Sequence, residues 1–169
     1  HIQPGRRGRS LNTEYINHIL VDNDGTLWVG TLVGGINQIS PKQVQFEDLL
    51  TVSEGSSNII SCIFEDKDGN LLMGILGKGL GIRRADSENI EIHSLKDSGI
   101  SQEDIFVIRQ DKDGNYWMAS RNDGLLFLDK KDLYNPRFTT YDIQNSGINS
   151  NVIYDLDYDE KRHGIWFTT

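Results

Sequence analysis

Apolar residues in this chain gather in short runs, and each run leads into an acidic turn. The runs Tyr15 to Val21, Ile59 to Glu65, Asp104 to Gln110 and Val152 to Tyr158 are rich in Ile, Val, Phe and Tyr, which suits β-strands. Strict alternation is missing from them. Ile16 and Ile19, Ile60 and Ile63, Ile105 and Ile108, and Ile153 and Leu156 have opposite parity, so each run should be buried on both faces. An Asp-x-Asp-Gly turn follows the first three runs, at Asp22 to Gly25, Asp66 to Gly69 and Asp111 to Gly114. Asp and Asn side chains close turns by bonding to nearby backbone, and Gly takes the left-handed position of a type I turn with a bulge.

Second strands are predicted at Thr26 to Thr31, Asn70 to Ile75 and Asn115 to Ser120. Third strands are predicted at Gly35 to Ile39, Gly79 to Ile82 and Gly124 to Leu128. Weaker fourth strands fit Val44 to Leu49, Ile90 to Ser94 and Arg137 to Tyr141. A fourth copy has its first strand, an altered turn from Asp159 to Gly164, and Ile165 to Thr169. Glycine recurs too often, and no 3.6-residue stripe lasts long enough, for a helical reading.

All these elements share one phase. The turn glycines Gly25, Gly69 and Gly114 are spaced by 44 and 45 residues, and Gly35, Gly79 and Gly124 repeat the same spacing. A fixed period of this length with four strands per unit predicts an all-β chain, a β-propeller of four-stranded antiparallel blades. The expected blades are 15–50, 58–95 and 103–142, with a half-blade at 151–169 and a flexible leader at 1–10. Three and a half blades cannot close, since propellers use about 4–8. The expectation is an open fragment of a larger propeller, completed by its remaining blades or by a second copy. Leu11, Ile100 and Ile148 each lie five residues before Ile16, Ile105 and Ile153. The second unit breaks this rule with Gly55, and carries Leu72 where the others have Trp28, Trp117 and Trp166. Tryptophan at one constant offset is expected to pack between blades rather than to stack on a ligand.

Composition narrows the chemistry. The 169 residues are 37% apolar and 25% charged with 17 glycines, ordinary for a turn-rich β domain. No run approaches the roughly 18 apolar residues of a membrane-spanning helix, and the amino terminus has no apolar core of a signal peptide. Arg6, Arg7 and Arg9 sit in a Gly-rich leader that reads as a solvated tail. A net charge of −8 argues against nucleic acid as a partner. Cys62, the one cysteine, lies in an apolar run and reads as a buried small hydrophobe. His1, His18, His93 and His163 show no metal-ligand spacing. Placing Gly25 at the sixth position of a calcium loop puts Asp22 third and Asp24 fifth, but Thr31 at the twelfth, where a bidentate Glu belongs. No metal, no cofactor and no catalytic residue is expected, since neither a nucleophile elbow, a phosphate loop nor a distinct carboxylate pair is present.

One family resemblance follows from the repeat. The string from Ile19 through Asp22-Asn23-Asp24-Gly25-Thr26-Leu27-Trp28-Val29-Gly30-Thr31 to Gly34-Gly35-Ile36 resembles the two-component regulator propeller repeat. The resemblance runs over residues 11–169. It departs at Leu72, at Ala119-Ser120 where the pattern has Gly-Thr, and at the lengthened fourth turn. Its repeat positions are Asp22, Gly25, Trp28 and Gly35; Asp66, Gly69, Leu72 and Gly79; Asp111, Gly114, Trp117 and Gly124; and Trp166. The resemblance implies the periplasmic sensor region of a Bacteroides-type hybrid two-component system. There, propellers recognise glycan fragments and signal to a histidine kinase that would lie outside these residues. By the same reading this segment is not itself an enzyme, and an oligosaccharide is its expected ligand. Loops on one rim would carry recognition, which nominates Lys78, Arg121 and Asn122 as hydrogen-bond donors. Two other readings stay open: a non-catalytic scaffold for dimerisation or protein–protein docking, and a propeller lyase or hydrolase.

Overall fold

A computed structural model describes residues 11, 13–40, 43–48 and 58–169, with residues 40 and 43–48 described by their backbone. The leader 1–10 with its three arginines, and Gly55, lie outside the described residues. The first sheet runs β1 (Ile16–Val21), β2 (Leu27–Thr31), β3 (Ile36–Ser40) and β4 (Gln43–Asp48). The second runs β5 (Ile60–Glu65), β6 (Leu71–Ile75), β7 (Gly79–Arg83) and β8 (Ile90–His93). The third runs β9 (Ile105–Gln110), β10 (Tyr116–Ser120), β11 (Leu125–Leu128) and β12 (Phe138–Tyr141). The last pairs β13 (Asp155–Asp159) with β14 (Gly164–Thr168). Strands pair antiparallel in chain order within each sheet. Among the described residues this is the all-β propeller architecture, open, with three four-stranded blades and a two-stranded fourth. Two single 3-10 turns, at Lys96–Ser98 and Lys130–Asp132, are elements the sequence pattern did not announce.

The acidic turn works as a hydrogen-bond hub. In the second blade, Asp66 Oδ1 accepts from the backbone N–H groups of Asp68 and Asn70 at 2.9 and 2.8 Å. Its Oδ2 accepts from Asn70 Nδ2 at 2.8 Å and from the Tyr116 hydroxyl of the next blade at 2.6 Å. Asp22 and Asp111 repeat the Oδ1 bonds, and their Oδ2 atoms accept from the indoles of Trp28 and Trp117. Gly25, Gly69 and Gly114 have φ of 81°, 81° and 90°, the left-handed region a side chain makes costly. In the fourth blade the extra residue moves His163 into that place, at φ 53°.

Blades stack through their faces. Trp28 and Ile36 of the first blade pack with Ile60, Ile63, Leu71, Met73 and Ile75 of the second. Leu72 and Leu80 of the second pack with Ile105, Ile108 and Met118 of the third, so Leu72 fills the tryptophan's place in the same direction. Trp117 and Leu125 of the third meet Ile153 and Leu156 of the fourth. Two-sided burial holds for β5, whose six residues are all buried or half-buried. It does not hold for β1, where Ile16, Ile19 and Val21 are 45%, 55% and 62% exposed. Nor does Trp166 pack between blades, being 61% exposed. Both departures have one cause: among the described residues no sheet covers those two faces.

Candidate functional site

The two ends of the strands form two different rims. One carries the acidic turns. There Glu65 accepts from the Asn23 backbone N–H of the preceding blade at 2.9 Å, and Gln110 does the same for Lys67 at 3.1 Å. A hollow of about 280 Å³ on this rim is lined by Glu65, Lys67, Arg109, Gln110 and Asp157 among others, and Arg109 pairs with Asp157 at 3.4 Å. Burial, and then the charges of Asp22, Asp24 and Asp66, push the Glu65 carboxyl above its ordinary range against the Asn23 bond. Here the polar groups tie blades to one another.

The opposite rim joins the loops after each second strand to the loops that lead into each inner strand. Gly35, Gly79 and Gly124 donate their N–H groups to the carbonyls of Asn58, Glu103 and Asn151 of the following blade, at 3.1, 3.3 and 2.9 Å. The third-strand glycine is needed for space as well as for φ. A Cβ at Gly124 would run into the Tyr141 carbonyl, and one at Gly79 into the His93 carbonyl.

The three nominated donors sit on this rim, and the structure brings only two of them together. Lys78 Nζ donates to Asn58 Oδ1 at 2.5 Å, and lies one blade away from the others. Asn122 Nδ2 donates to Gln102 Oε1 at 2.5 Å, the same bond one repeat later. Arg121 Nη1 lies 3.8 Å from Asp104 Oδ2. Asp123 fixes the loop beneath them, accepting from the backbone N–H and hydroxyl of Ser101 and from the Gln102 N–H. Arg121 and Asn122 are thereby held by a preset frame, which lowers the ordering cost of binding.

Arg121 and Asn122 line a hollow of about 470 Å³ together with Phe106, Val152 and Tyr154. That volume lies in the range of small-ligand sites, which combine apolar walls with a few placed polar groups. Phe106 is half-buried and Tyr154 is 65% exposed. Neither aromatic was among the nominated residues. A larger hollow of about 750 Å³ lies on the outer edge against β8 and β12, lined by Ile92, His93, Asp97, Asn135 and Arg137 among others. Its aromatic lining residue, Phe138, is 8% exposed, so it offers little ring face to a ligand.

Other titratable groups read as framework. Cys62 is buried, and burial pushes its thiol up to about 12, which removes the reactive thiolate. Burial, and next the Arg109 guanidinium, hold His18 below its ordinary value. No helix among the described residues is long and apolar enough to cross a membrane.

Comparison with known proteins returns one family and one fold. Residues 10–32, 54–76 and 99–122 match the sequence model described as two component regulator propeller. No curated protein matches the chain. Among solved structures, the extracellular domain of a putative hybrid two component system from B. thetaiotaomicron superposes with a TM-score of 0.76 at 20% identity, covering 98% of this chain and 21% of that one. A second such domain from the same organism gives 0.54 at 21% identity, covering 98% and 27%. Virginiamycin B lyase from Staphylococcus aureus gives 0.71 at 14% identity, covering 91% and 48%. The chain thus spans about a fifth to a quarter of the two extracellular domains. At these identities the likeness is one of fold.

Proposed function

We propose, on the premise of the three segments that match the two component regulator propeller model, that this chain is a ligand-sensing segment of the extracytoplasmic sensor region of a hybrid two-component system. Its location is then periplasmic, its ligand an oligosaccharide, and its output a signal to a kinase beyond these residues. The observation that carries this reading is the rim hollow, where Arg121 and Asn122 meet Phe106 and Tyr154. Hydrogen-bond donors beside aromatic walls are the chemistry that hydroxyl-rich rings require. Rigid blades below supply the frame that keeps such a site in one geometry. The segment is read as non-catalytic, binding its ligand and leaving it unchanged.

Calorimetric titration of the chain with a panel of neutral and acidic oligosaccharides tests this. Binding that weakens when Arg121 is replaced by Ala is the expected outcome, and no heat with any oligosaccharide contradicts it. Lys78, bonded to Asn58 and not among the residues lining the hollow, is proposed as a weaker contributor, so Lys78→Ala should change affinity less than Arg121→Ala.

A second reading is favoured by a separate observation. Ile16 and Ile19 on one face, and Trp166 on the other, are exposed at positions that are buried or half-buried between the interior blades. A scaffold that meets further blades or a second copy of the chain through these faces fits that pattern. Molar mass from light scattering, read across concentration, separates self-association from a monomer. Turnover assays with chromogenic glycosides address the lyase or hydrolase alternative.

A further inference from the structure

We propose that the junction of the third and fourth blades is a subsite for a neutral sugar ring, held against Phe106 and Tyr154 and hydrogen-bonded by Arg121 and Asn122. It rests on the oligosaccharide reading and narrows it to one place and one ligand class.

The argument starts from a bulge that recurs in the inner strands. Pairing of β1 with β2 skips from Ile16 to His18, that of β5 with β6 from Ile60 to Cys62, and that of β9 with β10 from Ile105 to Val107. The skipped residues are Asn17, Ser61 and Phe106. Counting from the preceding isoleucine, Tyr154 after Ile153 holds the same place in the fourth copy. A bulge re-aims the side chain it carries, and such sites recur beside functional centres.

In the first two blades the re-aimed side chain is a polar pin. Asn17 Nδ2 donates to the Ile60 carbonyl of the next blade at 2.6 Å. The Ser61 hydroxyl donates to the Ile105 carbonyl of the next blade. In the third and fourth blades the same place is aromatic, and Phe106 has no donor for such a pin. The ring of Phe106 instead lines the hollow with Val152, Tyr154, Arg121 and Asn122. Two repeat units have kept the pin and two have exchanged it for ring surface. The exchange falls where the paired donors Arg121 and Asn122 stand.

Charge then selects the ligand. The Arg121 guanidinium already faces the Asp104 carboxylate, whose own side chain is 17% exposed and accepts from the Gly77 N–H at 3.0 Å. Asp123 adds a second negative charge beneath the loop, on a chain of net charge −8. An incoming carboxylate would meet a cation that is already compensated, within a negative field. Uncharged hydroxyls lose nothing there. The guanidinium edge, the Asn122 amide and the Tyr154 hydroxyl supply donors and acceptors for them.

The repeat itself provides the test variants. Phe106→Ser and Tyr154→Asn install the residues that the second and first blades carry at this position, so both are compatible with the blade frame. The full chain is titrated by calorimetry with neutral xylo-, arabino- and galacto-oligosaccharides of four residues and with tetragalacturonate. Melting temperature is recorded for each variant. We expect a neutral oligosaccharide to bind, and each exchange to weaken it about tenfold, the effect of about 1.4 kcal/mol, with melting temperature unchanged. Neutral binding that both exchanges leave intact overturns the subsite while the oligosaccharide reading stands. Tighter binding of tetragalacturonate overturns the neutral preference. Absence of binding by every probe overturns both the subsite and the reading beneath it. If an exchange lowers the melting temperature, Phe106→Leu, which keeps apolar volume and loses the ring face, replaces it, and undiminished affinity in that variant overturns the role of the ring.

Discussion

The second blade and the fourth are written with the same repeat, yet one is packed on both faces and the other on one. Ile60 and Ile63 of the second blade are 0% and 4% exposed, sealed beneath Trp28 of the first. Trp166 holds the place of Trp28 but is 61% exposed, although its indole still donates to the turn aspartate, Asp159, at 3.2 Å. The local half of the motif, indole to turn aspartate, is therefore intact in both the first and the fourth blades, and the packing half exists only where a neighbour stands. In repeat architectures stability is a sum of unit terms and interface terms, and these two tryptophans separate them.

The largest effect should come from the buried member of the pair. Trp28→Ala removes the side chain that fills the first interface and should cost about 3–5 kcal/mol, read by urea denaturation. Trp166→Ala in the same chain should cost under about 1 kcal/mol, the scale of surface changes. Equal losses would break the comparison.

Next come the turn aspartates. Asp66 is 2% exposed and satisfies four donors, one of them the Tyr116 hydroxyl across the interface. Burial, then the bond to Asp66, pushes that phenol well above its ordinary value. Asp66→Ala strands these buried donors and should cost about 2–4 kcal/mol, since one unsatisfied buried group costs about 1–3. Asp159→Ala should cost less, because its donors are exposed and water replaces the carboxylate.

A pH profile sharpens the contrast between the two rims. Burial raises the Glu103 carboxyl, but the Lys96 ammonium at 3.0 Å, Ser94 and the Leu95 N–H outweigh it and leave it below its ordinary value. A depressed folded value means that Glu103 adds stability above the unfolded value, about 4.3, and loses it as pH falls through the folded one. Glu65 is displaced upward, so its cost is absent in acid and grows as pH climbs past the unfolded value. Glu103→Gln should therefore flatten the acid limb of the stability curve, and Glu65→Gln should raise stability at neutral relative to acid pH.

The smallest effect concerns the altered turn. His163 sits at φ 53° where the other units place glycine. His163→Gly should stabilise the chain by about 0.5–1 kcal/mol, measured as a rise in melting temperature. His163→Val should destabilise it.

Most of the frame was legible because it is local and repeated. Strand edges observed at Ile60, Leu71, Gly79 and Ile90 lie within one residue of those expected from the apolar runs and turn glycines. What escaped depends on neighbours. Nothing in the offset of Trp166 says whether a sheet stands over it. Lys78 and Arg121 look alike as rim donors, but the three-dimensional path puts one against Asn58 and the other at the mouth of a hollow. Phe106 and Tyr154 were missed although a signal existed. Aligning the units by their isoleucines sets Asn17, Ser61, Phe106 and Tyr154 in one column, and the switch from polar to aromatic is visible there. A consistent repeat marks the frame, and a change of chemistry at a bulge marks the place to look for function.

The most direct test of this account is amide and side-chain chemical-shift mapping of the chain as a neutral tetrasaccharide is added. Perturbations should gather at Phe106, Arg121, Asn122, Val152 and Tyr154, while the turn glycines Gly25, Gly69 and Gly114 stay unmoved. Shifts centred on the acidic turns, or no shifts at saturating sugar, would contradict it.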